Sequence, residues 1–163
     1  MPIVLARIDD RLIHGQIVEG WLKVVQANHI MIVSDEVSKD KMQQALMSMA
    51  VPKSIKVSSL SIDDAAEKYA KDQFGKDSVL MLFSNPGDVR RLLEKGVKVG
   101  SVNVGGMHFS PGKRQILRTL SVDEEDIKNL LAVSAMGVEL EGRVIPADER
   151  VDVAAILKDE TAK

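Results

Sequence analysis

The sequence predicts an α/β domain built on an open, mixed but mainly parallel sheet of about seven strands with helices on both faces. Three observations carry this expectation. Short runs rich in Val and Ile alternate along the chain with segments of helical spacing. Those runs are apolar throughout rather than alternating with polar residues, so both faces of each strand should be covered. Helix-capping residues, an Asn-Pro pair and glycines punctuate the junctions.

The first strand is IVLARI, 3–8. After a polar loop, Ile17, Gly20, Trp21, Val24 and Val25 recur as one face of a helix. HIMIVS (29–34) is the second strand, and Ser38 is suited to start the helix bearing Met42, Ala45, Leu46 and Met49. SIKVSS (54–59) is the third, followed by Ser61 as a cap and a helix marked by Ala65, Ala66, Tyr69 and Ala70. SVLMLF (78–83) is the fourth. Asn85 then offers a cap and Pro86 a proline at the first helical position, ahead of Val89, Leu92 and Leu93. VKVGSVNV (97–104) is the fifth strand, and Gly75 and Gly96 fall where helices stop. Beyond the glycine-rich GGMHFSPGK, RQILRTLS (114–121) and VELEGRVIP (138–146) read as two more strands. Ser121 precedes a helix over 123–136 that ends at Gly137, and ERVDVAAILK (149–158) makes a short final helix.

A chain of 163 residues without repeat, linker or low-complexity segment reads as a single domain over 1–163. Its 45% hydrophobic and 28% charged residues are ordinary globular composition, and a net charge of -2 supplies no field that would draw nucleic acid. With no cysteine there is no disulfide framework, thiol nucleophile or Cys-based zinc site. The start of the sequence has no signal-like apolar stretch, and no apolar run approaches bilayer length. The expected location is the cytoplasm, without direct membrane insertion.

Open α/β sheets bind ligands beyond the carboxyl ends of their strands. There the sequence places DDRLIHGQ, SDEVS, SNPGD and GGMHFSPGK, while the opposite-edge connections QAN, AVPK and FGKD carry no comparable cluster. The stretch RIDDRLIHGQ concentrates Arg7, Asp9, Asp10, Arg11 and His14. His14 stands just before Gly15 and Gln16, at the start of a helix, where free N–H groups and the helix dipole stabilise an anion. Arg7 and Arg11 are guanidinium forks suited to a phosphoryl group or carboxylate. Asp9 and Asp10 can accept from an imidazole N–H, which fixes the nitrogen left free as nucleophile. These residue types in one loop suggest transient phosphorylation of His14. Their plainer reading has Asp9 and Asp10 capping the helix, Arg7 pairing with them, and His14 as a surface histidine.

Two look-alikes fail. GMHFSPGKR spaces its glycines by five residues where a P-loop has four, and Arg114 replaces the magnesium-binding hydroxyl residue. A receiver domain could use Asp9, Asp10 and Lys113, but it needs an acceptor aspartate after the third strand, where this chain has Ser58-Ser59-Leu60-Ser61. His14, His29 and His108 are too few and scattered for a metal site; His29 reads as a strand-entry residue and His108 as a pocket-lining one. Trp21 reads as core or partner-facing surface.

ARIDDRLIHGQIVEGW, MIVSDEV, MLFSNPGDV, NVGGMHFSPGKRQI, VDEEDIKNL and GVELEGRVIPAD, in that order over essentially the whole chain, resemble the IIB component of the mannose, fructose and sorbose class of the bacterial phosphoenolpyruvate-dependent sugar phosphotransferase system. The resemblance implies that His14 takes a phosphoryl group on Nδ1 from a phosphohistidine of a IIA partner. It implies donation to a sugar held by membrane-embedded IIC and IID partners, with peripheral association through them. Arg11 is implied as the main phosphoryl-binding side chain, and Asp9, Asp10 and Arg7 as residues orienting the histidine and the arginine. Gly15, Gln16 and Ser84 are expected as further phosphoryl contacts, with neither cofactor nor metal required. The sequence carries no fused IIA domain, so the donor is expected on a separate polypeptide. His14 is expected to be exposed, with Leu12, Ile13 and Met107 either docking surface or buried loop anchors. A homodimer is compatible with the sequence and not fixed by it. Two rival readings stand beside the carrier: a signalling module that reports phosphorylation through the same His14, and a binding domain in which His14 is never modified. The sugar is not legible.

Overall fold

A computed structural model describes residues 2–161. Its strands are β1 (Ile3–Asp9), β2 (His29–Val33), β3 (Lys56–Leu60), β4 (Val79–Phe83), β5 (Ser101–Gly106), β6 (Arg114–Leu117), β7 (Leu120–Val122), β8 (Glu139–Gly142) and β9 (Val151–Asp152). Seven of them form one sheet in the order β3-β2-β4-β1-β5-β8-β9, parallel except for the antiparallel β8–β9 pair. The helices are α1 (Leu22–Val25), which continues a π-helical turn over Ile17–Trp21, α2 (Lys41–Met49), α3 (Ile62–Ala70), α4 (Pro86–Glu94), α5 (Glu124–Ala135) and α6 (Val153–Thr161). Among the described residues no helix is long and apolar enough to cross a membrane.

The two-residue period of the strands divides the core. Met31, Val33, Met81, Phe83, Ala6 and Ile8 pack on one face with α3 to α6. Ile30, Ile32, Leu80 and Leu82 pack on the other with Ile17, Trp21 and Met47, as does the half-buried Leu5. Every residue of β2 and β4 is buried, as continuous apolar runs at the centre of a covered parallel sheet require. By the same parity, Arg7 and Asp9 share a face with Leu5, beneath the first helix.

Ser61 and Asn85 cap α3 and α4 through side-chain acceptance from Asp64 and Asp88 amides, with Pro86 at the first helical position. Elsewhere the boundaries differ from expectation. Asp40, not Ser38, caps α2. Asp123, two residues beyond Ser121, caps α5 in a reciprocal capping box with Asp126. RQILRTLS is not one strand of the main sheet. It is the antiparallel hairpin β6–β7, closed by a two-residue turn at Arg118-Thr119 and paired Leu117 to Leu120. No Gly or Asn marks that turn, so the run reads as continuous. The seventh place in the main sheet belongs instead to β9, which the sequence assigns to the final helix. VELEGRVIP leaves the sheet after Gly142 because the Asp148 carboxylate gathers the amides of Val144 and Ile145 into a turn. The look-alike segment before Lys113 leads into a strand rather than a helix, and Lys113 pairs with Asp126 at 2.8 Å.

The opposite edge of the sheet does hold one ionic cluster. His29 is buried at the start of β2, its Nδ1 3.1 Å from Asp77 and its Nε2 2.7 Å from the Ser58 hydroxyl, with Lys56 beside Asp77. Burial first, then the Lys56 ammonium, hold this imidazole below the ordinary histidine range despite Asp77. The unfolded chain titrates near about 6.5, so below that value it binds more protons than the folded chain and stability falls on acidification. Unfolding free energies from urea titrations between about pH 7 and pH 5 should drop, by up to about 1.4 kcal/mol per pH unit for this histidine, and His29→Gln should make the slope shallower. An unchanged slope in the variant would show that His29 is not depressed.

Candidate functional site

Asp9, the last residue of β1, is fully buried and accepts from three side chains. Arg7 Nη2 donates to Oδ2 at 2.9 Å. Arg11 donates through its backbone N–H at 3.1 Å, Nε at 3.2 Å and Nη2 at 3.3 Å. His14 Nε2 lies 2.9 Å from Oδ2. Burial pushes the Asp9 carboxyl up, but the hydrogen bonds and charges of Arg11 and Arg7 outweigh it and leave the group below its usual range. Asp9 is therefore ionised at neutral pH and can only accept.

That fixes the imidazole. Nε2 carries the hydrogen given to Asp9, and Nδ1 keeps its lone pair. Burial lowers the His14 pKa; Asp9 opposes this, and the charges of Arg11 and Arg7 add to it. The ring is thus neutral at pH 7. Nδ1 is buried and makes no hydrogen bond among the described residues. The side chain is only 15% exposed, less than the sequence suggests. Leu12 holds the loop in a left-handed conformation, φ 58°, and is buried together with Met107, so both are loop anchors; Ile13 is half-buried.

Arg7 is not an open fork. It is fully buried; Nη1 and Nη2 donate to Asp9, the Asn103 side chain and the carbonyls of Arg143 and Val144, while Nε is buried without a hydrogen-bond partner among the described residues. Its guanidinium lies 5.3 Å from the centroid of Trp21, whose other cationic neighbour is Arg143 at 5.0 Å. Trp21 is a core residue, donating Nε1–H to the Val144 carbonyl at 2.9 Å. Pairing register explains the assembly: Arg7, Asn103 and Glu141 lie opposite one another on β1, β5 and β8, and Arg143 binds both oxygens of Glu141 at 2.8 Å. Asn103, Glu141 and Arg143 do not stand out in the sequence. Their signal was the Glu141–Arg143 spacing, which puts two ionisable side chains on one strand face next to a glycine-rich strand.

The glycines of β5 are there for the same reason. A Cβ on Gly105 would lie 2.0 Å from the Arg7 guanidinium carbon, and one on Gly106 would lie 3.1 Å from an Asp9 oxygen. Asp10 does not reach the imidazole of His14. Its carboxylate accepts from the His108 backbone at 2.7 Å and lies 2.5 Å from His108 Nδ1. Ser84 accepts from Asn85 Nδ2 and lines a separate crevice of about 190 Å³ with Asp35, Asp88 and Arg91. No hydrogen bond among the described residues joins it to His14. Gly15 and Gln16 begin the helix, and Gln16 accepts from Arg11 Nη2 at 2.9 Å. Arg11 is 40% exposed. With Gln16 it lines a cavity of about 300 Å³ together with Met107, His108, Phe109 and Arg118. Among the described residues no group of three His, Cys, Asp or Glu side chains is placed to hold a metal ion.

The sequence model of the family described as "PTS system sorbose subfamily IIB component" matches residues 3–163. The chain is 42% identical over 161 residues to the fructose-specific EIIB component of Bacillus subtilis (strain 168), covering 99% of each. It is 40% identical over 157 residues to the mannose-specific EIIAB component of Escherichia coli (strain K12), covering 96% of this chain and 49% of that protein. Its fold is similar to the crystal structure of the IIBSor domain of the sorbose permease from Klebsiella pneumoniae, with TM-score 0.92, 38% identity and 98% of each chain covered.

Two measurements check this geometry. Gly105→Ala should displace the buried guanidinium and cost about 3–5 kcal/mol in urea unfolding, as breaking a buried ion pair does, whereas Gly100→Ala, which meets nothing within 4 Å, should stay within about 0.5 kcal/mol. In NMR titration the His14 ring should protonate below about 6.5, and Arg11→Gln should move that midpoint upward by removing a repelling charge.

Proposed function

This chain belongs to the sorbose subfamily of the IIB components of the sugar phosphotransferase system, and we propose that His14 is its phosphoryl carrier. PTS IIB components are phosphotransferases of sugar transport. The observation that carries the assignment to His14 is the Asp9 contact, which locks the neutral ring with Nδ1 as the free nucleophilic nitrogen.

In the proposed reaction a IIA partner supplies a phosphohistidine. The Nδ1 lone pair of His14 forms the new N–P bond as the donor's N–P bond breaks, and that electron pair returns to the donor ring. His14 keeps its Nε2 hydrogen throughout. The phosphorylated ring is then an imidazolium beside Asp9, whose negative charge stabilises it and fixes its direction. Arg11 is the loop cation that neutralises phosphoryl oxygens in this reading, because part of its fork is exposed while Arg7 is fully buried with both terminal nitrogens engaged. Arg7 acts through Asp9, and Gly15 and Gln16 frame the site. The transfer demands in-line positioning and charge neutralisation more than covalent assistance. Donation back to a sugar held by IIC and IID partners at the membrane completes the relay. Since Nδ1 is buried in the resting loop, docking of a partner must be accompanied by local opening, and the Arg11–Gln16 hydrogen bond is the outer contact that would part.

Incubation with phosphoenolpyruvate, the general phosphotransferase proteins and a cognate IIA tests the proposal by intact-protein mass. The native chain should gain one acid-labile phosphoryl group, and His14→Ala should gain none. Asp9→Asn should slow uptake by about 10- to 100-fold, the loss of a charge-assisted hydrogen bond to the reacting ring. An unlabelled native chain, in the presence of demonstrably phosphorylated IIA, would remove His14 from this role for that donor.

A further inference from the structure

The His14 loop leaves a charge deficit for the group it is proposed to carry. A phosphoryl group brings about -1.5 to -2 charges at neutral pH. Arg7 and Arg11 both lean on the single carboxylate of Asp9, and the Asp10 carboxylate is engaged by the His108 backbone and ring. Arg11 alone has exposed guanidinium to offer.

The lining of the 300 Å³ cavity that Arg11 and Gln16 share holds a second candidate. Arg118, the first turn residue of the β6–β7 hairpin, is exposed and lines both this cavity and an adjoining one of about 580 Å³ that runs to Val144 and Val151. Its basic neighbours are all paired: Lys113 with Asp126, Arg114 with Glu124 and Glu160, Arg143 with Glu141, Arg150 with Glu139. Arg118 forms no ion pair among the described residues, and its backbone carbonyl, not its guanidinium, takes the Gln115 amide. The base of the side chain is nevertheless fixed relative to Asp9. Met107 N–H donates to the Thr119 carbonyl at 3.0 Å, Ser121 N–H donates to the Met107 carbonyl at 2.8 Å, and the preceding Gly106 carbonyl accepts from Asp10 at 3.1 Å. The hairpin thus carries a guanidinium with no ion pair among the described residues into the cavity that Arg11 and Gln16 also line.

We propose that Arg118 is a second phosphoryl-contacting residue, donating to phosphoryl oxygens on His14 from the cavity it shares with Arg11. The proposal rests on the carrier reading of His14. Arg118 keeps its protons and forms no covalent bond; its role is to share the charge of the three equatorial oxygens as the phosphoryl group passes between nitrogens.

The test uses the full chain with Arg118→Ala and Arg118→Lys, phosphorylated by IIA. Uptake at saturating IIA should slow about tenfold in Arg118→Ala, the equivalent of one charge-assisted hydrogen bond, with partial recovery in Arg118→Lys. The ³¹P resonance of phosphorylated His14 should titrate at higher pH in Arg118→Ala, because a cation that favoured the doubly ionised phosphoryl group is gone. Thermal melting, unchanged because the side chain is exposed, separates this from misfolding. An unchanged saturating rate with a raised KM for IIA would make Arg118 a docking contact and overturn the proposal, as would an unshifted ³¹P titration. Failure of the native chain to be labelled at all would instead overturn the reading of His14.

Discussion

A single buried carboxylate organises this molecule's functional edge. Asp9 is taken out of water at the end of β1, which would be costly for an isolated charge, and the structure compensates by surrounding it with donors. Arg7, two residues earlier, reaches it on the same strand face by the period-2 rule. Arg7 then has to be satisfied in its turn, and it recruits Asn103 from β5 and two carbonyls from the segment after β8. Gly105 is bare because the guanidinium occupies the space of its side chain. Trp21 covers the fork from the first helix and hands on to Arg143 and Glu141. One charge at a strand end thereby ties four parts of the chain to the position of one imidazole.

The electrostatics of that arrangement suit a relay more than a trap. Burial and two arginines keep the His14 ring neutral, so a lone pair is available at physiological pH. Asp9 pulls the other way, and its influence grows once the ring becomes cationic on phosphorylation. In the proposed cycle the same carboxylate therefore orients the nucleophile before transfer and stabilises the charged intermediate after it. Arg11 divides its donors between Asp9 and Gln16. A guanidinium already engaged binds an incoming phosphoryl group less tightly than a free one, which favours onward donation.

Much of this was legible in the sequence, for identifiable reasons. Continuous Val/Ile runs fixed β1, β2 and β4, and Ser61 and Asn85-Pro86 marked helix starts, because each feature acts within a few residues. Clustering drew attention to His14, Arg11 and Asp9. The roles inside the cluster were not legible, since they depend on what lies across the sheet. Arg7 looks like a ligand fork in sequence and is a buried strut in space, because Asn103 and the carbonyls of Arg143 and Val144 lie some hundred or more residues away in the chain. Asp9 and Asp10 are adjacent and chemically identical, yet strand alternation sends one to His14 and the other to His108. The hairpin at Arg118-Thr119 escaped because its turn lacks the residues that usually announce one.

The resting position of His14 sets the last constraint. A nucleophilic nitrogen that is buried and unpartnered cannot meet a phosphoryl donor without movement. The Asp9 contact that holds the ring is buried, whereas the Arg11–Gln16 hydrogen bond in the same loop is exposed and of the kind that contributes about 0.5–1.5 kcal/mol. Opening should therefore occur by parting the outer contact while Asp9 keeps hold of Nε2, so that the ring is uncovered without losing its direction. A docking partner can supply that much free energy; a small phosphorylated metabolite, lacking an interface, supplies less. In the proposed cycle closure of the loop favours transfer between proteins over loss of the phosphoryl group to bystanders, through the same buried ion pair that holds the fold's edge together.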